Sequence, residues 1–323
     1  MRALVTGSAG HLGDALVRSL AGAGHDVLGI DIVSSPTTHR VGSITDPSFV
    51  RHAMRDVTCV LHTATLHKPH VATHSEQAFI DTNISGTLNL LQAAAALEVR
   101  AFVFTSTTST FGDALVPASG LPAAWISEDV VPIAKNIYGA TKTAAEDLCR
   151  LYWRNHRLPC VVLRTSRFFP EADDDETQAR AYVDANLKTN EFLYRRVDIA
   201  DVVDAHSLAM RRAADIGFGV FIVSATTPFK PEDASELRRD VAAVLARRVP
   251  GYASVYSDLG WRAPATIDRV YDNDRARRVL GWEPQYGFEG LLAALARGDD
   301  PRSPLARAIG TKGYHQRAGS GEG

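Results

Sequence analysis

Cysteine is scarce in this chain: Cys59, Cys149 and Cys160 are the only three, and no two stand at a CxxC spacing. That excludes a disulfide-stapled scaffold and a cysteine-built metal site, and it suits a reducing compartment. Cys59 and Cys160 sit inside apolar runs, where core thiols belong. No apolar run approaches the roughly 18 residues of a membrane span, and no secretory leader precedes the first strand, so a cytoplasmic protein is expected. An excess of charge of one sign is also missing. The formal net charge is −2 over 323 residues, which gives no reason to expect nucleic acid or an anionic membrane as partner. No internal repeat is present. What is plentiful is apolar side chain, 45% of residues, enough for one large domain with a smaller lobe.

Two local patterns stand out from this background. The first begins at Ala3-Leu4-Val5, a short apolar strand that runs into Thr6-Gly7-Ser8-Ala9-Gly10-His11-Leu12-Gly13 and then an amphipathic stretch from Ala15 to Ala21. Strand, glycine turn and helix come in the order a dinucleotide requires. Gly7 permits the tight turn, Gly10 lets the backbone approach a pyrophosphate, and Gly13 lets the helix pack on the strand; the helix N-terminus, with His11 and Leu12, then faces the anion. The spacing is GxxGxxG rather than GxGxxG. A second strand, His25 to Ile30, ends at Asp31, close to the roughly 20 residues past the third glycine where a ribose-binding acid is expected. An acid there favours NAD over NADP. The competing reading is a glycine-rich turn in an unrelated α/β domain, with Asp31 a strand-end cap.

The second pattern is Tyr138-Gly139-Ala140-Thr141-Lys142. Residues four apart on a helix are neighbours, so an ammonium at Lys142 can stabilise the tyrosinate of Tyr138, whose unperturbed pKa of roughly 10 would otherwise keep it protonated. A phenol tuned in this way is a usable general acid/base. By itself such a pair also fits a helix surface. Downstream of a dinucleotide loop it points to redox chemistry.

Taken together, these residues resemble an extended short-chain dehydrogenase/reductase of the NAD-dependent epimerase/dehydratase family, which includes UDP-galactose 4-epimerase. Further stretches carry the likeness. Val60-Leu61-His62-Thr63-Ala64 resembles the family's fourth strand, Asn83 to Leu91 its long helix with a structural asparagine at Asn83, and Phe102 to Thr107 its fifth strand. Leu163-Arg164, Val197 to His206 and Asp272 to Trp282 resemble later landmarks. The resemblance implies an α/β fold, a Rossmann-type doubly wound parallel sheet with a small C-terminal substrate lobe. It implies a division into a cofactor core at 1–165 and a mixed lobe with returning core elements at 166–312; the polar, glycine-rich stretch at 313–323 reads as a flexible tail. It also implies a catalytic triad of Thr107, Tyr138 and Lys142, and NAD held by Gly7, Gly10, His11, Leu12, Gly13, Asp31, Ser43, Ile44, Thr63, Ala64, Asn83, Tyr138 and Lys142. Tyr138 would take the proton of a substrate hydroxyl, Lys142 would lower the Tyr138 pKa and hold the nicotinamide ribose, and Thr107 would position the oxygen while hydride passes to NAD. The helices around 85–99 and 138–156 resemble those that form a homodimer in this family.

Departures from the family pattern bear on the substrate. Thr108-Ser109 stands where 4,6-dehydratases carry Asp-Glu, which argues against a dehydratase. Arg167 replaces the asparagine that helps nucleotide-sugar epimerases hold a diphosphate, and an arginine there can grip a phosphate or carboxylate. Tyr194 takes the place of a phosphate-binding arginine, with Arg195 and Arg196 beside it. The stretch from Pro170 to Val197 is short for a nucleotide-sugar subdomain, as in uronate dehydrogenases and small-carbonyl reductases on this fold. Candidate substrate contacts are therefore His67, Thr108, Arg167, Arg195 and Arg196; the bland reading of the arginine pair is a solvated strand edge.

Other features are ambiguous. His62, His67, His70 and His74 crowd one region without a tetrahedral zinc pattern, so no metal is expected. Ser43 stands where an adenine-contacting aspartate is usual and can still hydrogen-bond. Asp173-Asp174-Asp175-Glu176 reads as a solvated loop. Trp125 and Glu128 suit either a lid or loop packing. The expected activity is NAD-dependent epimerisation or oxidoreduction at a secondary alcohol of a sugar or sugar nucleotide. The alternatives are a dehydrogenase or reductase of a uronic acid, free sugar or small hydroxy compound, and a non-catalytic NAD-binding sensor; retention of all three triad residues speaks against the sensor.

Overall fold

In the computed structural model, residues 2–171 and 180–313 are described. Strand β1 (Arg2–Thr6) lies at the centre of a seven-stranded sheet because its apolar residues Ala3, Leu4 and Val5 can be buried on both faces. Runs of this kind suit parallel strands covered by helices on both sides. Strands β2 (Asp26–Asp31), β3 (Arg40–Val41), β4 (Cys59–His62), β5 (Ala101–Thr107), β7 (Cys160–Thr165) and β8 (Phe218–Val223) follow, with β6 (Ala124–Ile126) outside this sheet, and the order across it is β3-β2-β1-β4-β5-β7-β8, all pairs parallel. The strand order reverses between β1 and β4. In a doubly wound sheet that is where a ligand crevice opens, outside the carboxyl ends of the strands.

Helices cover both faces. On one side α1 (His11–Gly22) buries Leu12, Ala15, Leu16 and Leu20 against Val5, Leu61 and Val103. On the other, α2 (Pro47–Ala53), the run α3 (Glu76–Phe79) through α4 (Gly86–Ala96) and the long α5 (Ile137–His156) pack on Leu4, Val60, Phe102 and Phe104. A π-type turn, Ile80–Ser85, joins α3 to α4 and carries Asn83. Helix α5 starts cleanly because the Asn136 side chain accepts the Gly139 amide at 3.0 Å, and it ends at Arg157 in the left-handed region.

The chain does not leave the sheet after β7 (Cys160–Thr165). It makes α6 (Asp184–Glu191), then α7 (Ile199–Ile216) and β8 (Phe218–Val223), which complete the sheet's edge. A two-stranded sheet of β6 (Ala124–Ile126) and β9 (Arg269–Tyr271) forms beyond it, next to a separate apolar cluster around Leu193, Phe229, Leu237, Leu245 and Phe288. The two late landmarks of the sequence meet: Trp282 is fully buried and its indole donates to the Asp201 carbonyl at 3.0 Å. The Asp201 carboxylate in turn accepts the amides of Gln285 and Tyr286. The Asp173-Asp174-Asp175-Glu176 stretch and residues 314–323 lie outside the described residues.

Candidate active site

A cavity of about 990 Å³ opens along the carboxyl ends of the strands. One end is made of backbone. Gly7 turns with φ +69°, and a Cβ on Gly13 would stand 2.0 Å from the Gly7 carbonyl oxygen, so close packing of α1 on the loop demands glycine there. No side chain caps the start of α1, which leaves its first amides to a ligand. Asp31 closes the same end of the cavity, with its carboxylate accepting the amides of Ala9 at 2.9 Å and Val33 at 3.0 Å. Ser43, Ile44, Thr63 and Ala64 line this end with His11 and Leu12. These residues fit an elongated anionic dinucleotide: a glycine cradle and uncapped helix for the pyrophosphate, an acid for the ribose.

The remaining candidates fall into two groups. Tyr138, Thr107 and Thr108 line the cavity wall, as do His67, Arg167 and Arg195. Asn83, Lys142 and Arg196 stand behind the wall. Asn83 uses both ends of its amide to tie the loop after β4 to α5: Oδ1 accepts from Leu66 N and Thr65 Oγ1, and Nδ2 donates to Leu66 O and Thr141 Oγ1, all within 3.0 Å. Arg196 turns inward, with its Nε on Glu191 at 2.7 Å and an Nη on the Phe169 carbonyl. Its place in the fold moves the expected substrate contact to its neighbours Arg167 and Arg195.

Tyr138 and Lys142 are neighbours on α5 as the spacing requires, but their electrostatics differ from the sequence expectation. Burial pushes the Tyr138 phenol up to about 12, and a hydrogen bond with Thr107 acts against that rise. Burial likewise pushes the Lys142 ammonium down to about 7, with the Glu146 carboxylate pulling it back up. Lys142 donates to the Thr105 carbonyl at 2.7 Å and sits 3.9 Å above the Phe104 ring. In the protein alone Lys142 therefore does not lower Tyr138; a low-dielectric wall disfavours the charged form of both. Thr107 supplies the hydrogen bond that favours tyrosinate. His62 is buried between Thr6 and Thr87 hydroxyls, and burial holds its pKa well below the usual imidazole range, so it is a neutral core histidine.

The substrate end is made of side chains that the motifs did not point to. Lys68, Lys135, Arg269, Tyr271, Phe168 and Phe169 line it together with Arg167 and Arg195. Arg167 meets the 195–197 segment through a strand-like bridge, with Arg167 N on Arg195 O at 3.2 Å and Val197 N on Arg167 O at 3.0 Å. Behind them Glu191 is 1% exposed and touches Arg195, Arg196 and Arg167 at 2.7, 2.7 and 4.0 Å. Burial works against its charge, yet the three guanidiniums hold its carboxyl below the usual range. One buried carboxylate thus meets three guanidiniums behind the cavity wall. Asp31, at the far end, is the sole acidic residue of the lining among the described residues. His67 stacks on Phe169, with centroids 5.6 Å apart, and His70 and His74 follow edge to face. Among the described residues no group of three or more His, Cys, Asp or Glu could hold a metal ion. Trp125 and Glu128 are packing residues: the indole donates to Asp272 at 3.1 Å and the buried Glu128 carboxylate accepts the Ile222 amide at 2.8 Å.

Residues 3–222 match the model of the NAD dependent epimerase/dehydratase family. The chain belongs to that family. Among curated relatives, a UDP-glucose 4-epimerase of Rhizobium meliloti (strain 1021) is 30% identical over 328 residues, covering 89% of this chain and 94% of the relative. A low-salt glycan biosynthesis protein of Haloferax volcanii is 25% identical over 343 residues, covering 93% and 100%. Among solved structures, a short-chain dehydrogenase/reductase superfamily protein from Agrobacterium tumefaciens with bound NAD has TM-score 0.64 at 22% identity, covering 95% of this chain and 99% of that one. A Thermotoga maritima UDP-glucose 4-epimerase with UDP-glucose has TM-score 0.63 at 23% identity, covering 92% and 98%. As a family member the chain is an NAD-dependent enzyme of the extended short-chain dehydrogenase/reductase type, built on the Rossmann-type sheet described above. No helix among the described residues is long and apolar enough to cross a membrane.

Proposed function

We propose that this family member is an NAD-dependent epimerase/oxidoreductase that transfers hydride at a secondary alcohol of a sugar or sugar nucleotide bearing an anionic group. The observation that carries the reading is that Thr107 and Tyr138 line one cavity whose far end is the glycine loop with Asp31, and whose near end is lined by arginine, lysine and aromatic side chains. Bound NAD supplies the hydride acceptor. Tyr138, as the tyrosinate that the Thr107 hydrogen bond favours, accepts the substrate's hydroxyl proton, Thr107 holds the same oxygen, and Lys142 fixes the base of the site by its bond to the Thr105 carbonyl. Arg167 and Arg195 hold the anion, a phosphate or carboxylate. If the oxidised sugar turns over and takes the hydride back on its other face, the outcome is epimerisation.

The short stretch between Pro170 and Val197 and the cation-lined wall favour a second outcome, a dehydrogenase of a uronic acid or similar carboxylated alcohol, in which the ketone leaves. Apolar side chains left exposed at the end of α4 and on α5, Leu97 at 46% and Leu151 at 41%, support a homodimer through these helices. Three buried free thiols support a cytoplasmic site. The proposed division puts the cofactor core and triad at 1–165 and, after it, a substrate lobe mixed with the returning core elements α7 and β8. The deciding experiment measures NAD in denatured extracts of the purified protein, then screens UDP-sugars for interconversion and uronic acids for reduced nicotinamide. Retained NAD with interconversion supports the epimerase, and net reduction of added NAD supports the dehydrogenase. Absence of NAD binding would overturn both.

A further inference from the structure

Helix α5 is tied to the end of β5 by three of its residues spaced one turn apart. Tyr138 meets Thr107, Lys142 donates to the Thr105 carbonyl at 2.7 Å, and Glu146 Oε1 accepts the Ser106 hydroxyl at 2.5 Å. The first two ties belong to the triad. The third belongs to a buried ion pair that nothing in the reaction uses directly. Arg164, from β7, grips Glu146 with Nη2 to Oε2 at 2.6 Å and Nε to the two oxygens at 3.1 and 3.2 Å, while its guanidinium lies over the Phe111 ring at 4.9 Å. Ser106, Glu146 and Arg164 are all at least nine-tenths buried.

We propose that Glu146, clamped by Arg164 and Ser106, is a positioning residue that keeps Lys142 an ammonium and sets the register of the catalytic helix on β5. Removing a charge pair from water is costly, and a hydrophobic pair of similar volume often serves stability as well, so a buried pair one turn from the catalytic lysine calls for a role beyond packing. Its placement supplies one. The amine of Lys142 is buried in a wall that disfavours charge, above a Phe104 ring and beneath a peptide carbonyl. Near it are His62 of β4, kept neutral, and, on its own helix, Tyr138, Glu146 and Cys149; from β7, Cys160 meets Cys149 and Arg164 meets Glu146. His206 of α7 reaches the Thr105 side chain from the opposite face, and burial pushes it down to about 4, so it carries no charge near neutrality. Glu146 is the one carboxylic side chain in this set. Arg164 lies behind it on β7 and fixes where that charge points.

This inference rests on the reading of Lys142 as part of the catalytic wall, but its test needs neither substrate nor turnover. The chain has six lysines. In the full chain labelled with 13Cε-lysine, the signal lost in Lys142→Arg is that of Lys142, and its titration gives the amine's midpoint. Glu146→Gln preserves the shape and the acceptor for Ser106 while deleting the charge, and it should lower that midpoint by about one unit, a tenfold larger neutral fraction at a given pH. Should the single variant leave Arg164 buried without a partner and fail to fold, Glu146→Gln with Arg164→Met removes both charges, and its midpoint should still fall below that of the wild-type protein. A midpoint unchanged or raised in whichever variant folds would overturn the proposal. A protein that binds no NAD would instead overturn the proposed function and leave this titration standing.

Discussion

The two ends of the cavity are built by different means. The dinucleotide end is backbone: a glycine turn, an uncapped helix start and one carboxylate, all within the first 31 residues. The substrate end is side chain: Lys68, Lys135, Arg167, Arg195 and Arg269, brought from segments as far apart as β9 and the loop after β4. The first kind of site tolerates little change and recognises a shape common to many proteins. The second can be rewritten one residue at a time, which is how one fold serves many substrates.

The seam between the two ends should give the largest effect. Tyr138→Phe keeps the ring that fills the wall and removes the group that moves the proton, so kcat should fall about 10³-fold with NAD binding unchanged. Stopped-flow or steady-state rates beside a fluorescence titration of NAD would check this, and an unaltered rate would remove Tyr138 from the proton path. Next comes the backbone end. Gly13→Ala places a methyl carbon 2.0 Å from the Gly7 carbonyl, where neither atom belongs to a flexible side chain. NAD affinity should weaken about 100-fold, the roughly 3 kcal/mol of a severe overpacking clash, by calorimetry. If affinity survives, the loop is less tightly built than its close approach indicates.

The substrate end should respond more gently. Arg167→Ala and Arg195→Ala each remove one of three guanidiniums around Glu191, which keeps Arg196 as its partner. Stability should hold, and KM for an anionic substrate should rise about tenfold with kcat little changed, the size of one charge-assisted hydrogen bond. A fall in kcat with KM unmoved would mean that these residues act on the reacting atoms rather than on the anion.

The same contrast explains what could be read from the sequence. Gly7, Gly10, Gly13 and Asp31 form a pattern of local spacing, and Tyr138 and Lys142 one of a single helical turn, so both could be proposed as site residues before any fold was known. Strand β5 and helix α5 appeared within a residue of their places. Arg269 and Tyr271 were not visible, because their only local signal is the alternation of a three-residue strand, and nothing near them says that this strand pairs with β6 and faces Tyr138's cavity. Glu146 was hidden for a related reason: it sits one turn past Lys142, but its partner Arg164 lies on another strand. The direction of the Tyr138 shift was misjudged because a spacing argument counts the charge of a neighbour and not the burial that both groups share.

The smallest effect concerns the cost of the catalytic wall. Lys142 has an ordinary pKa of 10.5 and one of about 7 in the fold. Between these values the unfolded chain binds a proton that the folded chain does not, so stability rises with pH across that window. Below about 7 both states are protonated and the fold carries the full penalty of a buried ammonium. Lys142→Met fills similar space without the charge, so it should abolish turnover and yet stabilise the protein at acid and neutral pH, by about 1–2 kcal/mol once the lost bond to the Thr105 carbonyl is subtracted. That gain should shrink as pH rises through the window and vanish at its upper end. Urea unfolding of both proteins on the two sides of the window would measure it. A gain of equal size at every pH would assign the stabilisation to packing against Phe104 and not to the buried charge, and the wall would then cost the fold less than its burial implies.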